Sequence, residues 1–95
     1  MKVEEIHIFV RGCVQGVGFR YSTLRKAQSL GIGGWVRNTD DGKVEITAHG
    51  ESTLIETFLR WCNEGPRGAT VEAVELVKRK TIEASVLKSF EIRYD

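Results

Sequence analysis

The chain predicts an α/β (α+β) sandwich, an antiparallel sheet with two helices on one face. Three observations carry that expectation. Short segments alternate apolar and polar residues, as strands with one buried face do. Two longer segments hold apolar residues three and four apart, as amphipathic helices do. The segments follow one another as strand, helix, strand, strand, helix, strand, with a short further strand at the end.

Ile6, Ile8 and Val10 alternate with His7, Phe9 and Arg11, which marks the first strand and its buried side. From Tyr21 to Leu30 there is neither glycine nor proline, and Leu24 and Ala27 stand three apart, so this stretch is expected to be helical. Gly31 is placed to end it as a left-handed residue, with Ile32 following as the C″ position of a Schellman ending. Gly33-Gly34 opens a second strand, Trp35 to Asn38, and Thr39-Asp40-Asp41-Gly42 reads as a tight hairpin turn. On the third strand Val44, Ile46 and Ala48 face inward, against Lys43, Glu45 and Thr47 outward.

Thr53 with Glu56 fits a capping box, and Ile55, Phe58, Leu59 and Cys62 form the apolar stripe of a second helix that Gly65-Pro66 stops. Val71 to Val77 is β-rich with an irregular alternation that fits a bulge, and Lys78 to Lys80 reads as a solvated strand end. Phe90, Ile92 and Tyr94 make the short last strand. This order is the split βαβ, or ferredoxin-like, arrangement, and it is expected to fill residues 1–95 as one domain. Such a fold hosts many activities, so function has to be argued from a site.

The richest stretch is Arg11-Gly12-Cys13-Val14-Gln15-Gly16-Val17-Gly18-Phe19-Arg20, which joins the first strand to the first helix. Glycines let a ligand approach the backbone, and N–H groups at a helix N-terminus attract anions. A cation at a helix entrance opposes the helix dipole by about 0.3–1 kcal/mol, and a bound anion reverses that sign. The segment therefore reads as a phosphate cradle with Arg20 as its clamp. The plainer reading is that the glycines serve only to turn the chain; the stretch is neither a Walker loop nor a GxGxxG fingerprint.

A chain of 95 residues, 41% hydrophobic and 28% charged, has the composition of an ordinary globular protein. Its formal charge of +1 argues against a large electrostatic footprint for nucleic acid or membrane. No signal-peptide pattern begins the chain and no apolar run approaches a membrane span. Its two distant cysteines make neither a disulfide framework nor a zinc site, so a cytoplasmic, reduced setting is expected.

Acid–base and nucleophilic groups are sparse. His7 and His49 both fall in strands, where an exposed or hydrogen-bonded structural role is the simpler reading. Cys62 sits on an apolar helix face, as core thiols do. Cys13 lies in the glycine loop but has no base beside it in sequence, and Asp40 with Asp41 read as turn formers. No His, Cys or Asp cluster has metal-ligand spacing. A reaction suited to this inventory is one needing little proton transfer. Hydrolysis of an acyl phosphate qualifies, because its leaving group is a carboxylate whose conjugate acid has a pKa of about 4. Positioning and charge stabilisation then carry the catalysis.

Val14-Gln15-Gly16-Val17-Gly18-Phe19-Arg20, then Gly34-Trp35-Val36-Arg37-Asn38-Thr39 with Asp41-Gly42, strongly resemble the acylphosphatase family. Gly65-Pro66, Ala69-Thr70-Val71 and Phe90-Glu91-Ile92-Arg93-Tyr94 fit the same pattern in the same order. The resemblance implies hydrolysis of acyl phosphates to a carboxylate and inorganic phosphate, with no metal, cofactor or covalent intermediate. By position it implies Arg20 as catalytic arginine and Asn38 as the residue that orients water. Gln15, Gly16, Val17, Gly18 and Phe19 would form the phosphate-binding loop, acting mainly through backbone N–H groups, and Thr39 would be a supporting residue. Asn38 also reads, without the resemblance, as a turn-forming residue ahead of Asp-Gly. One departure stands out: Cys13 occupies a position where the family commonly has a basic side chain.

Two other readings compete. A nucleic-acid module would stack bases on the open sheet face, but the outward positions His7, Phe9, Arg11, Lys43, Glu45, Thr47, Glu91 and Arg93 include one aromatic, so no nucleic-acid partner is expected. A regulatory domain could bind phosphate or acyl phosphate without turnover; hydrolysis of an acyl phosphate discriminates it from the enzyme. The favoured expectation is a monomeric enzyme whose partner is a small acyl phosphate.

Overall fold

The computed structural model describes residues 2–84 and 88–94. Its elements run β1 (Val3–Cys13), α1 (Phe19–Leu30), β2 (Gly33–Asn38), β3 (Val44–Glu51), α2 (Ser52–Glu64), β4 (Thr70–Thr81) and β5 (Phe90–Ile92). The strands form one sheet in the order β4-β1-β3-β2-β5. The expected alternation holds: Ile6, Ile8 and Val10 on β1 and Val44, Ile46 and Ala48 on β3 are buried. Against them pack Phe19 and Ala27 of α1 and Ile55, Phe58 and Cys62 of α2, so both helices cover the same face.

The helix endings follow from single residues. Gly31 takes the left-handed conformation with φ 68°. Its N–H reaches the Gln28 carbonyl while that of Ile32 reaches Ala27 at 2.9 Å, the two bonds of a Schellman ending. α1 begins two residues earlier than the sequence suggests, because Gly18 rather than a side-chain cap starts it. That puts Arg20 in the first turn. The capping box at Thr53 does not form: α2 starts at Ser52, straight out of β3, and the Thr53 hydroxyl donates to Glu51 at 2.9 Å. The Ser52 N–H is satisfied by the Lys2 carbonyl instead, at 2.9 Å.

One point corrects the expected sheet, and two others bear it out in detail. It is mixed, since β5 pairs with β2 in parallel. β4 runs antiparallel to β1, as does β3, and β2 is antiparallel to β3; one reversal after β4 therefore lays β5 along β2 in the same sense. The irregularity on β4 is two register shifts against β1, between His7 and Ile8 and between Arg11 and Gly12. Lys78–Lys80 form the exposed end of β4, as expected, and Arg79 there also pairs with Glu4 at 2.8 Å and Glu56 at 2.6 Å, tying β4 to β1 and α2.

The open sheet face carries more rings than expected, for Trp35 joins Phe9 and His7 there. His7 lies 5.3 Å from Phe9 and 6.3 Å from Trp35, centroid to centroid. Arg93 covers the Trp35 ring at 4.7 Å and Lys43 the Phe9 ring at 5.5 Å. Glu45 is buried on this face between His7 and Arg37, at 2.6 and 2.7 Å. No helix among the described residues is long and apolar enough to cross a membrane.

Candidate active site

β1 delivers the chain into a tight turn in which Gly16 has φ 75° and Gly18 φ 77°. A side chain at either position would meet no atom within 4 Å, so glycine is needed for the left-handed backbone and not for want of space. The result is bare backbone facing outward, running directly into the N-terminus of α1. No acidic residue occupies the first turn of that helix and no side chain caps it. The positive end of the helix dipole is therefore left for an anion.

This turn forms one wall of a cavity of about 180 Å³ that Gly16, Gly18, Phe19 and Arg20 line together with Asn38. Tyr21, Ile92 and Tyr94 complete its outer part, and Val14 its inner one. Arg20 has no carboxylate partner among the described residues. Its guanidinium lies 4.9 Å from the centre of the Tyr94 ring, a cation–π contact that steadies the fork without neutralising it. Asn38 ends β2 on the helix-covered side, in register with Val44. Its Oδ1 is buried and accepts no hydrogen bond from any described residue. Buried acceptors are nearly always paired, and among the described residues this is the one buried side-chain polar atom without a partner. The turn-former reading of Asn38 fails on the same observation, since that role requires Oδ1 to accept a backbone N–H.

Five of the eight residues singled out from the sequence thus meet at one cavity: Gly16, Gly18, Phe19, Arg20 and Asn38. Gln15, Val17 and Thr39 do not line it. The Gln15 Nε2 donates to the carbonyls of Thr39 at 2.8 Å and Lys43 at 2.7 Å, which uses both of its hydrogens. Any direct contact of Gln15 with an anion is left to its backbone. Val17 packs against the core. The Thr39 hydroxyl donates to Asp41 and accepts from the Lys43 N–H at 3.0 Å, organising the hairpin turn. That hydroxyl, followed by Lys43, holds the Asp41 carboxyl below its ordinary range.

Cys13 is exposed, at the end of β1, and lies outside the cavity lining. Tyr21, Ile92 and Tyr94 are the members the residue pattern did not single out. Tyr21 sits beside Arg20 in sequence, whereas Ile92 and Tyr94 arrive only through the pairing of β5 with β2. Among the described residues, no three His, Cys, Asp or Glu side chains are grouped to hold a metal ion.

Comparison with known proteins points to one family. The acylphosphatase family model matches residues 6–92. An acylphosphatase of Trichormus variabilis is 46% identical over 88 residues, spanning 93% of this chain and 84% of its own. The crystal structure of acylphosphatase from Bacillus subtilis superposes with a TM-score of 0.88 at 33% identity, covering 96% of this chain and 99% of that one. An acylphosphatase structure from Coxiella burnetii gives 0.84 at 38% identity, covering 97% and 94%. On its fold, its glycine cradle and these likenesses, the chain belongs to the acylphosphatase family.

Proposed function

We propose that this chain hydrolyses acyl phosphates to a carboxylate and inorganic phosphate, as a monomeric cytoplasmic enzyme that uses no metal or other cofactor. The observation that carries the reading is the convergence of Arg20, the Gly16–Gly18 turn and the unpaired Asn38 Oδ1 on one cavity. The backbone N–H groups of the turn and of the first turn of α1 receive the phosphoryl oxygens. Arg20 grips the same group through two parallel N–H bonds, and its charge balances what develops there in the transition state. The Asn38 Oδ1 accepts from the attacking water while its Nδ2 donates to a phosphoryl oxygen.

The water oxygen forms the new bond to phosphorus as the bond from phosphorus to the acyl oxygen breaks. The bonding pair leaves with the carboxylate, whose low basicity removes the need for a general acid. No Asp, Glu or His is among the residues lining the cavity, so the proton of the water passes to a phosphoryl oxygen. Positioning and electrostatics supply the acceleration.

Hydrolysis of benzoyl phosphate in EDTA, by the protein and by Arg20→Ala, tests this. Turnover that survives the chelator and vanishes in the variant is expected. Absence of turnover by the folded protein would overturn the reading in favour of a domain that binds phosphate without hydrolysis. Loss on chelation alone would overturn the metal-free mechanism.

A further inference from the structure

Large side chains left in water are concentrated in two places. Among the described residues Tyr21 is 58% exposed, Tyr94 78%, Leu76 49% and Val77 58%. Leu76 and Val77 lie on the edge strand β4, beside a register shift. Tyr21 and Tyr94 are different: both line the cavity that holds Arg20 and Asn38. A glycine-walled floor that carries Arg20 and Asn38 thus opens through a mouth with an aromatic ring from α1 and another from the segment after β5.

The size of the cavity gives those rings something to touch. At about 180 Å³ it is small beside the range of about 300–1,000 Å³ of pockets that enclose a whole organic ligand. A phosphoryl group held at the turn and at Arg20 therefore leaves its acyl substituent outside the floor, at the mouth. Each ring is also held in place by a cation: Arg20 lies 4.9 Å from the Tyr94 centroid and Arg25 lies 5.8 Å from that of Tyr21. Rings already restrained lose less freedom when a ligand packs on them. Their apolar faces suit an unsaturated or aryl group, and offer little to a methyl or an amide.

We infer that Tyr21 and Tyr94 form an acyl-group subsite that makes this chain selective for acyl phosphates with aromatic acyl groups over those with small ones. The inference rests on the hydrolytic reading of the same cavity. Tyr21 is its cleaner probe, because Tyr94 also touches Arg20 and a change there alters the clamp itself. Tyr21 is exposed, so its replacement removes no core contact.

The experiment compares kcat/KM for benzoyl phosphate and for acetyl phosphate in the protein, in Tyr21→Ala and in Tyr21→Phe. Tyr21→Ala is expected to lower the benzoyl-to-acetyl preference about fivefold, the scale of one lost aromatic contact, and mainly through KM. Tyr21→Phe should restore the preference, since it keeps the ring. An equal loss on both substrates, or an unchanged ratio, would overturn the subsite while leaving the hydrolytic reading intact. Failure of the unaltered protein to turn over either substrate would instead overturn that reading, and the subsite with it.

Discussion

The Gln15 side chain is bonded to the backbone of Thr39, the residue after Asn38, at 2.8 Å, and to that of Lys43 at 2.7 Å. One amide thereby locks the glycine cradle to the end of β2, and so fixes the distance between the two halves of the site. Removing it takes one donor from each carbonyl and leaves each its backbone partner, Gly42 N–H on Thr39 and Thr39 N–H on Lys43, an effect of about 0.5–1.5 kcal/mol per bond. Gln15→Ala is expected to lower the urea midpoint accordingly and to reduce kcat more than it raises KM, because the cradle still binds phosphate while Asn38 loses its register. A variant with a raised KM and unchanged kcat would mean that the side chain binds substrate directly.

Arg20 is a cation in the first turn of a helix, without a carboxylate partner among the described residues. Arg20→Ala should lower kcat/KM for benzoyl phosphate by about 10²–10³, the usual effect of one lost transition-state donor. Arg20→Lys is expected to recover little, since an ammonium keeps the charge and loses the two-pronged fork. Near-normal activity of the lysine variant would reduce Arg20 to a source of potential.

At Asn38 function and stability should separate. The buried Oδ1 has no partner among the described residues, so removing it relieves an uncompensated group. Asn38→Ala is expected to lower kcat by about 10² with phosphate affinity retained, and to melt no lower than the parent. Loss of phosphate binding as large as the loss in kcat, followed by calorimetry, would show that the Nδ2 hold on the phosphoryl group, and not the Oδ1 hold on the water, is the main role of the amide.

Acid sensitivity should run through Glu4. Arg79 donates to its Oε1 at 3.2 and 2.8 Å, and that bonding holds the carboxyl below its ordinary value of 4.5. A folded-state pKa lower than the unfolded one stabilises the fold fully above the unfolded value, and the contribution fades as pH falls through the folded value. Glu4→Gln is therefore expected to be less stable than the parent at pH 7, with the gap closing in strong acid. A gap undiminished at low pH in urea titrations would exclude the ion pair as its source.

The two thiols should differ sharply. Cys62 is buried on α2, and burial pushes its thiol far up, whereas Cys13 is exposed. A disulfide-exchange reagent is expected to titrate one thiol in the native protein and a second only on unfolding. Cys13→Ser should abolish the native reaction; if peroxide inactivates the enzyme and this variant equally, Cys13 is not its point of oxidative sensitivity.

Strand faces, the stripe of α2, the left-handed ending at Gly31 and the cradle glycines were legible because each depends on a period or on one residue's backbone energy. The resemblance then singled out Arg20 and Asn38 from a chain with few catalytic groups. Misreadings fell where a distant partner intervenes. Thr53 looked like a cap until β3 proved to run unbroken into α2, with Lys2 supplying the acceptor. The role of the Gln15 side chain was equally illegible, since nothing near it in sequence announces the Thr39 and Lys43 carbonyls that take its hydrogens.

By itself, then, the amino-acid sequence determined the two-layer fold and the glycine turn that leads into α1 at Arg20, both of them written in local pattern. Only the tertiary structure decided that β5 lies parallel to β2, that Tyr94 meets Arg20 over the cavity, and that Asn38 keeps a buried oxygen unpaired. The physical reason is that these depend on contacts between segments far apart in the chain. Such contacts are selected by the packing of the whole core and leave no period in any one stretch of residues.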